Sequence, residues 1–137
     1  ENRLQQQTND KCYFMNILAG IYIEDELFID QLLQTIKDNK IDKLSVVANP
    51  NCSFVKNILY PQKNVETQAE EIIARLYHKK YDVIRSIESQ NEKQKALAYY
   101  CAQFSMGRIL QELNNRFIKL GQKPETSILT FGEMIES

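Results

Sequence analysis

Apolar positions in this chain recur mostly at helical spacing, and that spacing sets the first expectations. Phe14, Ile17, Leu18 and Ile21, then Phe28, Ile29, Leu32 and Ile36, fall on one face at about 100° per residue. The phase holds across the acidic Glu24-Asp25-Glu26. It predicts one long helix over approximately 10–38. The alternative is two helices, with the acidic triplet opening the second, where carboxylates complement the helix dipole. Residues 1–8 carry little apolar signal and are expected to fray.

The clearest amphipathic pattern lies over approximately 66–88. Ala69, Ile72, Ile73, Leu76, Val83, Ile84 and Ile87 share one face; Glu71, Arg75, His78, Asp82 and Arg85 share the other. A tight turn at Ser89-Gln90-Asn91 then predicts an antiparallel helix over approximately 92–120, closed by Gly121. The C-terminal half of that helix has one apolar face, through Met106, Ile109, Leu110, Leu113, Phe117 and Leu120. In its N-terminal half, ALAYYCAQF over 96–104, the polar face disappears. The pattern predicts a central helix enclosed there on both sides, by the first long helix and the 66–88 helix.

Between these helices, residues 41–48 fit either a short helix or a buried strand. Asn49-Pro50 reads as an N-cap followed by proline at the first helical position, opening a short helix with Phe54, Val55, Ile58 and Leu59 inward. After Pro124, the apolar Ile128, Leu129, Phe131 and Met134 predict a docked C-terminal segment over 123–137, either as a short helix or against another copy. The expected fold is all-α: a compact bundle of about five helices in a single domain over 1–137.

Composition supports few, long elements. Among 137 residues there are 4 glycines and 3 prolines, too few for the turns of an all-β fold. Hydrophobic and charged shares of 43% and 26% are those of a globular chain. A net charge of −1 gives no electrostatic reason to expect nucleic acid as a partner. The longest apolar run, 12–23, is well short of the roughly 20 residues a membrane span needs, so no transmembrane segment is expected. The chain begins at Glu1, which fits either a secreted or periplasmic protein after signal-peptide removal or a cytoplasmic one. Cys12, Cys52 and Cys101 form no CxxC spacing; both a disulfide plus one free thiol and three buried thiols are consistent with the count.

Candidate chemistry is sparse. The single histidine, His78, lies on a charged face four residues before Asp82. Two ligands do not make a zinc site, and no metal or cofactor is expected. A helical bundle with one exposed histidine resembles the histidine phosphotransfer domains, which implies a signalling role for His78. The match departs after that residue, where Lys79-Lys80-Tyr81-Asp82 stands in place of a lysine-glycine pattern. Nucleophilic catalysis needs a base beside Cys or Ser, and no such pair is legible, so the chain is not expected to be an enzyme. Basic residues His78, Lys79, Lys80, Arg85, Lys93 and Lys95 cluster around the turn and suit an acidic partner or a phosphate.

The expected function is a non-enzymatic protein–protein interaction domain, of the kind found in adaptors, secretion-system components and inhibitor or immunity proteins. Its partner is another protein or a second copy of itself, as a homodimer. The candidate interface residues are Ile128, Leu129, Phe131, Met134 and Tyr81. The alternatives are a phosphotransfer-like module using His78 and a helical carrier of a small ligand or lipid around 96–104.

Overall fold

The computed structural model describes residues 3–6, 13–16, 21–23, 25–41, 43–120 and 124–130. Among these, the chain begins with a short antiparallel pair, β1 (Arg3–Gln6) and β2 (Tyr13–Asn16), with Arg3 opposite Asn16. The long helix expected over 10–38 is therefore corrected at 13–16, which are strand, and the helix itself begins at Glu26; 10–12, 17–20 and 24 lie outside the described residues. Tyr13 and Phe14 are residue types that suit a strand, and the helical phase of Phe14 with Phe28 is coincidental.

Helix α1 (Glu26–Asp38) starts where the acidic triplet offers a cap. The Asp25 carboxylate accepts a hydrogen bond from the Phe28 N–H at 3.1 Å, which satisfies one of the free donors of the first turn. Phe28, Ile29, Leu32 and Ile36 form the buried stripe. At its far end the Ile41 N–H reaches back to the Ile36 carbonyl at 3.0 Å, across Lys40 at φ 50°. This is a Schellman-type stop that normally carries glycine. Lys40→Gly is expected to raise stability by about 0.5–1 kcal/mol, read as a higher urea midpoint.

Residues 43–48 are a strand, β3 (Lys43–Ala48), with Leu44, Val46 and Ala48 buried and the alternate positions more open. The Asn49-Pro50 pair does not open the next helix. The Asn49 side chain instead accepts from the Asn51 N–H, and α2 (Ser53–Leu59) begins one turn later. Helix α3 (Gln68–Lys79) is opened by a capping box: Thr67 accepts from the Glu70 N–H at 3.1 Å, and the Glu70 carboxylate accepts from the Thr67 N–H at 3.3 Å. The expected 66–88 helix breaks at Lys80, whose φ −104° and ψ 17° lie outside the helical region, and resumes as α4 (Tyr81–Arg85). Ser89 then caps α5 (Gln90–Leu120) by accepting from the Glu92 N–H.

The last element among the described residues, β4 (Glu125–Thr130), is a strand rather than a docked helix. It pairs parallel with β3, from Lys43 opposite Glu125 to Ala48 opposite Thr130. The fold is thus mainly helical, with five helices among the described residues, but the all-α expectation is corrected by these strands. A parallel pair needs a long crossover, and α2 to α5 supply it. On the open face of the pair the Ser45 and Ser127 hydroxyls lie 2.6 Å apart, sharing a hydrogen bond.

Helix α5 lies between two apolar clusters. Ala98, Ala102, Met106, Ile109 and Leu113 pack with α1 and the buried face of β3, where half-buried Ile128 of β4 joins them. Leu97 and Cys101, with half-buried Ala96, Tyr100 and Phe104, pack with α2, α3 and α4. The stretch 96–104 is thus covered from two sides by the chain's own side chains. Its enclosure is incomplete, however: Tyr99 and Gln103 face outward, with Tyr99 43% exposed. Gly107 lies on the same outward line. A Cβ added there would meet no atom within 4 Å, so the glycine costs the helix about 1 kcal/mol relative to alanine with no packing reason in this chain.

Candidate interaction surface

The break at Lys80 positions an exposed aromatic group. Because α4 restarts there, Ile84 anchors it in the second cluster while Tyr81 and Val83 turn outward, 43% and 52% exposed. The Tyr81 ring stands edge-on to Tyr77, centroids 5.7 Å apart at 73°. The Lys80 ammonium sits 5.2 Å from the centre of the Tyr100 ring, a cation–π contact between the break and α5. Tyr100 in turn meets Tyr99 edge-on at 6.3 Å. Tyr77 and Tyr100 are half-buried, so the two exposed tyrosines are held by neighbours instead of hanging free.

Charge around this face is mixed. Lys79 and Arg85 are exposed and Lys80 is half-buried; the acidic Asp82 and Glu88 are exposed as well, while Lys95 pairs with Glu92 at 3.3 Å. His78 makes no ion pair with Asp82, since the helix break separates them and their i,i+4 relation is lost. Among the described residues no group of three His, Cys, Asp or Glu side chains is placed to hold a metal ion. No helix among them is long and apolar enough to cross a membrane.

Of the sequence-derived interface residues, Tyr81 lies in this surface. Ile128 packs half-buried on the first cluster, on the other side of α5. Leu129 stands on β4 opposite Val47. Phe131 and Met134 lie outside the described residues. Tyr99, exposed here, was read from sequence as enclosed. A helical wheel shows its neighbours but not how wide the covering layers are.

Two buried groups have raised pKa values, and neither arrangement activates a nucleophile. Burial, with the Cys52 thiol adding to it, pushes the Cys101 thiol from about 9 up to about 12. A thiol so protonated is a small apolar core group. Both Cys52 and Cys101 are free, and Cys12 lies outside the described residues. Burial also raises the Tyr22 phenol well above its ordinary range, followed by its bond to Glu112. That hydroxyl donates to Glu112 Oε2 at 2.6 Å and accepts from the Asp25 N–H at 3.1 Å. The Tyr22 N–H donates to Ser105 Oγ at 2.9 Å, and Arg108 reaches the Tyr22 carbonyl at 3.4 Å. The network fastens Tyr22 and Asp25 to α5.

The raised Cys101 value has a consequence for stability. A folded-state pKa above the unfolded one contributes stability that is complete below the unfolded value and is lost as pH rises through the folded one. The urea midpoint is therefore expected to fall as pH rises from about 9 towards 12. Tyr22 acts in the same direction at higher pH. Iodoacetamide labelling of native protein should modify half-buried Cys52 well before Cys101.

No protein-family model matches this sequence, and comparison with curated proteins finds no similar chain. The functional reading therefore rests on this surface alone.

Proposed function

We propose that this chain is a non-enzymatic protein-interaction domain whose binding face is the tyrosine cluster at the α3–α4 break and the first half of α5. The observation that carries the reading is the exposure of Tyr81 and Tyr99 on rigid supports, each ring backed by a half-buried tyrosine. Tyrosine offers a large contact area at low conformational cost and is enriched in interfaces. Lys79, Lys80 and Arg85 beside it suit a partner with an acidic segment at the contact.

The test is affinity capture with Tyr81→Ser/Tyr99→Ser beside the unaltered protein. Both positions are open, so the thermal midpoint is expected to stay within a few degrees. A partner held stoichiometrically by the unaltered protein should bind the double variant at least about tenfold more weakly, since clustered aromatic anchors carry ~2 kcal/mol or more. Undiminished capture by the double variant would move the binding face elsewhere.

A further inference from the structure

The outward line of α5 carries a second feature. Tyr99, Gln103, Gly107, Gln111 and Asn114 are all exposed, and none is charged. The charged residues beside this line are tied back to their own chain. Arg108 lies 4.8 Å from the Phe104 ring centre and reaches the Tyr22 carbonyl, and Glu112 accepts from the Tyr22 hydroxyl. Gly107 stands in the middle, with open space where a Cβ would be. Solvent alone favours alanine, lysine or glutamate at such a position. Glycine is favoured there if another backbone must come close.

We propose that this line is the contact surface of a homodimer in which α5 of a second copy crosses antiparallel at Gly107. A two-fold axis at that point sets glycine against glycine and lets the helices approach closely. Gln103 then faces Gln111 of the other copy, and each amide supplies both a donor and an acceptor, so the pairing is self-complementary. Any charge on the axis would meet its own image, and this line carries none. The antiparallel arrangement also opposes the two helix dipoles. The contact is centred at Gly107, about two turns along α5 from Tyr99, does not include Tyr81, and needs no other protein.

Sedimentation velocity over a concentration series tests it, on the unaltered chain and on Gly107→Glu, Gly107→Ala and Gln68→Glu. The unaltered protein should show a reversible monomer–dimer equilibrium. Gly107→Glu, which sets two carboxylates face to face, should raise the dimer dissociation constant at least about tenfold. Gly107→Ala should raise the thermal midpoint of the monomer yet weaken the dimer, a combination that general stabilisation does not produce. Gln68→Glu changes net charge equally on exposed α3 and should leave the equilibrium unchanged. A monomer at every concentration overturns the proposal, as does a dimer indifferent to Gly107→Glu. Either result leaves the tyrosine-face reading standing, because capture is also read with Tyr81→Ser alone, at a position outside this line.

Discussion

Ile109→Ala is expected to lower the unfolding free energy by about 3–4 kcal/mol. Ile109 is fully buried where α5 meets α1 and the inner face of β3. Truncation removes the transfer energy of the lost methyl groups and leaves a cavity that rigid neighbours fill only in part. The surroundings here resist collapse: α5 is held from its other side by Leu97 and Cys101, so it has little freedom to shift inward. A loss of this size is a large share of the 5–15 kcal/mol typical of a whole domain. Urea unfolding should show a lower midpoint with an unchanged slope. Asn114→Ala, on the exposed side of the same helix, should stay within about 0.5 kcal/mol. A loss below about 1 kcal/mol for Ile109→Ala would mean that the two clusters do not brace the helix.

The second large effect is expected for Tyr22→Phe, at about 2–3 kcal/mol. The ring stays and keeps its contact with Phe28, with centroids 5.9 Å apart, so packing is nearly unchanged. What goes is a hydroxyl bonded to a carboxylate, a class of bond worth about 1.5–3 kcal/mol. The Asp25 N–H also loses its acceptor. Glu112→Gln is expected to cost less, because an amide oxygen still accepts from the phenol. A double-mutant cycle between Tyr22→Phe and Glu112→Gln reads the pair directly; coupling near zero would show that the network carries no stability. Tyr22→Phe should also remove part of the alkaline loss of stability, since no phenol is left there to ionise.

How much of this was legible beforehand depended on the range of each interaction. The amphipathic stripe of α1, the run Ala69, Ile72 and Ile73 of α3, and the long α5 are set by spacing within one element, and they read correctly as helix. The break at Lys80 was not legible, because no glycine or proline marks it; it accompanies the burial of Ile84 and the Lys80–Tyr100 contact. One capping signal was readable and missed, and a second was given only as the alternative in which the acidic triplet opens a helix. Thr67-Gln68-Ala69-Glu70 has the capping-box pattern. Asp25 three residues before Phe28 marks the start of α1, a stronger local signal than hydrophobic phase carried across the acidic patch. The candidate surface was half legible. Tyr81 could be assigned from its place beside a polar face, whereas Tyr99 sits in a run whose apolar neighbours hid its exposure.

By itself, then, the sequence determined that α1, α3 and α5 are helical, the apolar stripe of each and the burial of Leu97, Ala98, Cys101 and Ala102, because these follow from neighbours within a turn or two of chain. The tertiary structure alone decided the pairing of β3 with β4, which joins residues such as Ser45 and Ser127 across 82 positions of chain. It alone decided which of two adjacent tyrosines on α5 faces solvent, and that Gly107 has nothing above it. Burial at such places depends on how far the covering elements extend, and that extent is set by packing between segments distant in sequence.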